Sequence, residues 1–412
     1  MKRIAPALSA FLLAATAAAQ TPPESVLVPS SQGTLRVTTV ASGLQNPWSL
    51  AFLPDGRMLV TERPGRLRYI SNGTLSAPIT GLPTVWAQGQ GGLLDVALDP
   101  GFHANQRIYL SYAESGTGGR AGTAVARARL VGQALQDVEV IFRQEPKLST
   151  GNHFGSRLVF DRDGYLFVTL GDNNVRITAQ YLDHHQGKVL RLWPDGRIPV
   201  DNPFVDDDEA LIDIWSYGHR NPQGAALNPW TGKLWLVEHG AMGGDEVNIP
   251  EAGKNYGWPI ITHGLDYNGQ PIPESVGSSA PGMEQPLHYW VPSIGPSGMA
   301  FYEGFSMQTW HGDLFVGALA SRELVRLDLQ GNRVVGEERL LGSLGHRIRD
   351  VRSGPGGELY LLTDASNGRV LKVESAKPAW RRTLLPDPPK PAPVPNGGPV
   401  RRVDKPAPRA LD

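Results

Sequence analysis

The sequence predicts an all-β fold, a six-bladed β-propeller, on three observations. One β-rich unit recurs six times with the same internal order. Glycine (48) and proline (35) are plentiful in the 412 residues, which suits a chain of many turns rather than long helices. The apolar runs between those turns have the length and β-branched content of strands.

In chain order, Lys2 and Arg3, a short apolar run over residues 7–15 and the small residues Ala17, Ala18 and Ala19 read as a secretory signal peptide spanning 1–19. It directs a bacterial chain to the periplasm or out of the cell. No later segment approaches the roughly twenty apolar residues of a membrane-spanning helix. Residues 20–34 are polar and proline-containing and are expected to be flexible. Residues 35–41 (LRVTTVA) form a β-rich run outside the repeat, expected to supply the outer strand of the sixth blade and so close the ring. The six copies begin near residues 48, 93, 156, 223, 297 and 349. Each has an apolar strand, an Asp/Pro/Gly turn, a second apolar strand ending in Thr, Glu or Gly, a polar loop and a strand rich in Val, Leu and Arg. A lone blade cannot cover both faces of its sheet, and packing blades around an axis does so. The shared internal order argues against two separate sandwiches. The propeller therefore spans 35–375, and residues 376–412, proline-rich and basic with no apolar period, read as a disordered tail.

Composition excludes several function classes. A formal net charge of −1 without a long basic run gives no footprint for nucleic acid. The absence of cysteine removes disulfides, thiolate nucleophiles and Cys-bound zinc.

The repeat opens the equivalent loops of all blades on one face, so a central pocket is the expected site. Residues 149–173 (STGNHFGSRLVFDRDGYLFVTLGDN) place His153 before a hairpin and Asp172 after it. A hairpin returns the chain to its start, so the two can meet, and a carboxylate beside an imidazole fixes its tautomer and prepares it as a base. The alternative is a loop histidine and a turn aspartate with no shared task. Blade-edge loops also carry Gln90, Arg220, Asn221, Arg347 and Arg349. Arginine forks match carboxylates and carbonyl oxygens, which suits a small planar polyanion; the competing reading pairs these arginines with carboxylates between blades. Residues 238–259 are rich in oxygen donors, among them Asp245, Glu246, Asn248 and the carbonyls of Gly240 and Ala241. They fit a hard cation such as calcium or, read otherwise, a packing corner. Tyr289 and Trp290 are either a stacking platform at the entrance or blade-edge core. The GTGGRA stretch at 116–121 precedes a strand-like run and reads as a hairpin tip rather than a dinucleotide fingerprint, and His184–His185 as a surface loop.

Taken together, GQGGLLDVALDP, GNHFGSRLVF, GKVLRLWPDGRIPVDNPF, YGHRNPQGAALNP, DEVNIPEAGKNYGWP and RIRDV resemble the soluble aldose and glucose dehydrogenases that depend on pyrroloquinoline quinone (PQQ), the glucose/sorbosone dehydrogenase family. The resemblance implies a six-bladed propeller with PQQ over its central mouth. It implies that His153 is the general base, Asp172 its orienting partner, and that Arg220 and Asn221 contact the quinone carbonyls. Gln90, Arg347 and Arg349 would hold other cofactor oxygens. A catalytic calcium would lie on the Gly240 and Ala241 carbonyls, and a structural one on Glu246 and the Tyr256 carbonyl. One departure stands out: where the family places a lysine against the cofactor, this chain has Ala320, with Arg322 nearby. The expected activity is oxidation of an aldose to its lactone by hydride transfer to the quinone, in a monomer or homodimer that passes electrons to an external acceptor. The alternatives are a non-catalytic propeller that binds carbohydrate or protein, and a calcium-dependent lactonase-type hydrolase.

Overall fold

The computed structural model describes residues 24–377, so the signal-peptide expectation and nearly all of the tail fall outside the described residues. Six antiparallel sheets are present. Blade 1 comprises Pro47–Phe52, Met58–Glu62, Arg66–Ser71 and Thr74–Leu75; blade 2 Leu93–Leu98, Arg107–Ser115, Ala121–Val131 and Ala134–Arg143. Blade 3 comprises Leu158–Phe160, Leu166–Thr169, Lys188–Leu192 and Ile214–Tyr217; blade 4 Pro222–Leu227, Leu234–Glu238, Asp245–Asn248 and His288–Trp290. Blade 5 comprises Pro296–Phe301, Leu314–Ala318, Leu324–Gln330 and Arg333–Leu340. Blade 6 starts with Ile348–Ser353, Leu359–Thr363 and Gly368–Ser375 and is completed by Gly33–Leu44 and Ser25–Ser30 from the other end of the described chain.

Ring closure follows the expectation in kind and extends it in detail. Gly33–Leu44 pairs with Gly368–Ser375 from Leu35↔Ser375 to Leu44↔Gly368. Residues 35–41 are not the outermost strand, however, and the segment expected to be loose is not loose from Ser25 onward. Ser25–Ser30 adds a fifth strand in register from Ser25↔Thr38 to Ser30↔Gly33. It buries Val28 while leaving Val26 and Leu27 exposed. Its proline, Pro29, sits on this outermost strand, where a missing N–H costs no ladder bond. Ser31 ties the turn to blade 5 through the Glu338 carboxylate.

The core is interblade. Six apolar clusters each join two neighbouring blades; Leu59, Leu67, Leu110 and Ala126 join blades 1 and 2, and Trp235, Val237, Val316 and Leu327 join blades 4 and 5. Alternating strand residues feed opposite clusters, which is how period-2 patterning becomes a wheel. The turns are made as the sequence asks. In blade 1, Gly56 takes φ 86° while the Asp55 carboxylate accepts the Arg57 N–H at 3.0 Å. The 116–121 stretch is a hairpin tip between Arg107–Ser115 and Ala121–Val131. His185, by contrast, is buried rather than on a surface loop, with its imidazole on Asp213 at 3.1 Å.

The innermost strands meet at a polar hub. Asp95 and Asp350, both buried, share the guanidinium groups of Arg157 and Arg352 at 2.9–3.3 Å. Asp95 also accepts the Leu158 N–H, and Asp350 the Leu50 N–H. Two anions and two cations thus cross-link four blades, each charge paired inside the protein.

One topological fact positions the site. First and second strands are antiparallel, so the start of the first and the end of the second lie on one face: Pro47↔Glu62, Pro222↔Glu238 and Ile348↔Thr363. The strands ending at Glu62, Glu238 and Thr363 are therefore second strands, one step out from the hub. Residues just before these first strands and just after these second strands therefore lie at the same face.

Candidate active site

His153 and Asp172 meet as the hairpin requires. Nδ1 of His153 lies 2.6 Å from Oδ1 of Asp172, which is fully buried. Burial alone would raise the Asp172 carboxyl; the hydrogen bond and charge of His153, with Arg220 behind, override it and hold the group below the ordinary carboxylate range. Backbone packing enforces the pair. Gly171 has no room for a Cβ, which would stand 2.1 Å from the His153 carbonyl oxygen, and His153 itself adopts φ 51°, rare for a non-glycine. Gln90 accepts the His153 N–H at 2.9 Å. With Nδ1 committed to Asp172, Nε2 is the imidazole nitrogen free to take a proton.

Around this pair stand cations. The Arg220 guanidinium donates to the His239 carbonyl at 3.2 Å and to the Tyr267 hydroxyl at 3.3 Å, and its Nε, though buried, has no partner among the described residues. Arg349 is 6% exposed; it donates to Gln223 at 2.7 Å and reaches Asp364 at 3.4 Å, and its Nε is likewise unpartnered. Burial, only partly offset by Asp364, brings Arg349 down to about 10, so it stays charged at neutral pH. Asp364 is the shared anion: burial raises it, and Arg349 and Arg347 hold it below the usual range. Asn221 accepts the Gly155 N–H at 3.2 Å. His239 joins the group, its Nε2 on the Pro296 carbonyl at 2.6 Å. Burial first, then Arg220, Arg349 and His153, push its pKa down to about 3, so it is neutral.

The oxygen-rich stretch folds as a tight loop behind this wall. A Cβ on Gly240 would meet the Gly243 carbonyl at 2.1 Å, and Asp245 accepts the Gly240 N–H at 2.8 Å. Asp245 also anchors Ser293, Ile294 and Gly295, a structural task. Beneath it, Glu238 and Glu246 share the Asn248 amide at 3.0 Å each. Burial and the Glu238 charge raise the Glu246 carboxyl.

The profile of a family described as Glucose / Sorbosone dehydrogenase matches residues 44–372. The chain belongs to that family. A curated relative, aldose sugar dehydrogenase YliI of Escherichia coli (strain K12), is 53% identical over 348 residues, covering 84% of this chain and 94% of the relative. A solved glucose dehydrogenase is 58% identical with a TM-score of 0.82, covering 82% of this chain and 99% of that one. The PQQ-bound form of an aldose sugar dehydrogenase from Streptomyces coelicolor is 28% identical with a TM-score of 0.69, covering 84% of this chain and 100% of that one. The protein is thus an enzyme of an oxidoreductase family, a glucose/sorbosone dehydrogenase-family propeller.

The expected residues in this family member divide as follows. His153, Asp172, Gln90, Arg220, Asn221 and Arg349 gather at the mouth. Arg347 stands at the rim, exposed, on Asp364 at 2.9 Å and the Leu319 carbonyl at 3.0 Å. Neither Arg347 nor Arg349 is drawn into an ion pair with a neighbouring blade; their shared anion belongs to blade 6 itself. Two buried guanidinium groups with unused N–H donors fit a polyanionic cofactor. Among the described residues, the carbonyls of Gly240 and Ala241 accept no hydrogen bond, and Asn248 Oδ1 is buried without a partner beside Glu246. Free carbonyls and hard carboxylate oxygens fit calcium. Beside Ala320, Arg322 is exposed at φ 59° and makes no ion pair among the described residues. Trp290 is buried core rather than entrance, while Tyr289 is half-exposed and stacks on His263 at 3.8 Å. Sequence reading missed His239, Trp258 and Tyr267, and with them Arg63, which lies beside Arg349 and Asp364 with its buried Nε unpartnered among the described residues. The position of His239 and Arg63 just after second strands was the signal that could have found them. No cluster of three or more His, Asp or Glu side chains poised for a metal occurs among the described residues. The hub carboxylates are neutralised by arginine, which leaves a lactonase-type site without its ligands.

Proposed function

We propose that this protein is an exported, PQQ-dependent aldose dehydrogenase that oxidises the sugar to its lactone with calcium assistance and passes the electrons to an external acceptor. The observation that carries the reading is the 2.6 Å His153–Asp172 pair beside two buried guanidinium groups with unspent donors. The relative names and the PQQ-bound neighbour support it. Gln90, Arg220, Asn221, Arg347 and Arg349 would hold the quinone; Gly240 and Ala241 would offer carbonyls to the catalytic calcium, and Glu246 and the Tyr256 carbonyl to a structural one. When bound, the quinone supplies a two-electron oxidant that accepts the hydride from the sugar C1.

The chain supplies orientation and field. Nε2 of His153 takes the proton of the anomeric hydroxyl, and Asp172 fixes the tautomer and stabilises the imidazolium. Arg220 and Asn221 would hold the quinone oxygen on which negative charge grows, in a setting already desolvated. His239, neutral, adds no charge that would compete for the anion.

The test reconstitutes purified apoprotein with PQQ and calcium, then adds an aldose and a redox dye. Dye reduction that needs all three is the expected result. Lactone hydrolysis without quinone would replace the reading by a hydrolase. Neither activity would make the chain a binding propeller, the reading that Ala320 favours.

A further inference from the structure

We propose that Trp258 is a positioning residue whose indole fixes Asp172 with its N–H and carries the Arg220 guanidinium on its ring, so that one buried side chain sets both the base pair and the cationic wall. The inference rests on the function proposed above and adds a residue to it.

Trp258 Nε1 donates to Asp172 Oδ2 at 2.8 Å. The other carboxylate oxygen is already engaged, by His153 Nδ1 at 2.6 Å and the Asn174 N–H at 2.7 Å. An ionised carboxylate with no solvent needs donors on both oxygens, and for Oδ2 the indole is the donor among the described residues. The titratable and charged groups facing Asp172 are His153 and Arg220. The Arg220 carbon lies 5.2 Å from the Trp258 ring centroid, within cation–π range. Trp258 is itself held. Its N–H donates to the Gly218 carbonyl at 2.9 Å, its carbonyl accepts from Gln180 at 2.7 Å, and its ring packs with Ala179, Ala241 and Ile272. Ring and backbone are therefore fixed independently of the two groups they orient. A packing corner would need neither the directed N–H nor the stacked cation.

Trp258→Phe keeps a ring under Arg220 and deletes the donor. In the quinone- and calcium-loaded enzyme, kcat should fall roughly 10–100-fold, the worth of one hydrogen bond to a buried charge, with the aldose KM and the quinone Kd within about twofold of wild type. A carboxylate short of a donor binds protons more readily, so the acid limb of the pH profile should move up by about one unit. An unchanged kcat and acid limb, or equal losses in quinone binding and turnover, overturns the proposal. A second arm needs no folded tryptophan variant. In ¹⁵N spectra of the apoprotein, Asp172→Asn should move one indole N–H signal far more than the others; no responding indole signal overturns the coupling. Absence of quinone turnover in wild type would defeat the proposed function, and the spectral arm would still decide the role of Trp258.

Discussion

His153 is held from three sides: Asp172 on the ring, Gln90 on the backbone N–H and Gly171 against its carbonyl. A side chain fixed in this way spends its freedom before substrate arrives, which is what a general base needs. Replacing His153 by Gln should leave quinone affinity within about twofold and lower kcat by about 10²–10⁴-fold; steady-state kinetics beside a quinone titration check both. Ala320 makes the opposite case. It lies on the mouth rim, next to the Leu319 carbonyl that Arg347 holds at 3.0 Å. Ala320→Lys should tighten quinone binding by about 10–100-fold, as one charge-assisted bond would, read by titration of apoprotein with PQQ. At this scale the sequence was most legible where partners share one hairpin. His153 and Asp172 do; Trp258 lies 86 residues beyond Asp172 on another blade, and no local pattern announces that bond.

Strand ends decide what reaches the mouth. Antiparallel pairing turns six separate stretches of sequence into neighbours, and the same alternation that buries Leu59 and Leu361 sends the residues after Glu62 and Thr363 to one face. Outer strands need their own ties, and blades 4 and 5 share one. Glu337 on Arg333–Leu340 accepts from His288 at 3.1 Å and Trp290 at 2.8 Å on His288–Trp290. Burial raises Glu337, but those bonds and Arg339 more than offset it and bring its pKa down to about 2 from 4.5. A carboxylate lowered on folding stabilises above its unfolded value and loses that contribution as pH falls through the folded one. Glu337→Gln should therefore cost about 1–2 kcal/mol at pH 7, discounted for partial exposure, with the gap closing between about pH 4.5 and 2; urea melts across that range measure it. Repeat units and turns could be read in advance because Gly and Pro mark them. The strand Ser25–Ser30 could not, since its pairing partner is chosen by a sheet closed from the far end of the chain.

The wheel holds by closure and by its hub. Leu35, Val37, Ala41 and Leu44 are buried in the strand that joins the two ends of the propeller, whereas Ser25–Ser30 buries only Val28. A chain starting at Gly33 should melt cooperatively a few degrees below the parent, and one starting at Asn46 should lose its cooperative transition, as calorimetry would record. At the centre, Asp95 and Asp350 join blades 2, 3 and 6 through Arg157 and Arg352, and Asp350 adds blade 1 through the Leu50 N–H. The sequence by itself determined the class of fold, the number of blades and the closing run, because period-2 patterning and turn chemistry are local and each repeat states them anew. It also marked His153 and most of the arginines that gather at the mouth, by their place in loops at strand ends. Only the tertiary structure decided that Arg349 turns its terminal nitrogens to Gln223 and Asp364 and leaves Nε unpaired among the described residues, while Arg220 leans on Trp258. It alone made the hub neutral and joined Ser25–Ser30 to the ring. Those outcomes depend on which side chains from different blades arrive within about 3 Å of each other, a distance that hydrogen bonding reads and that spacing along one chain does not encode.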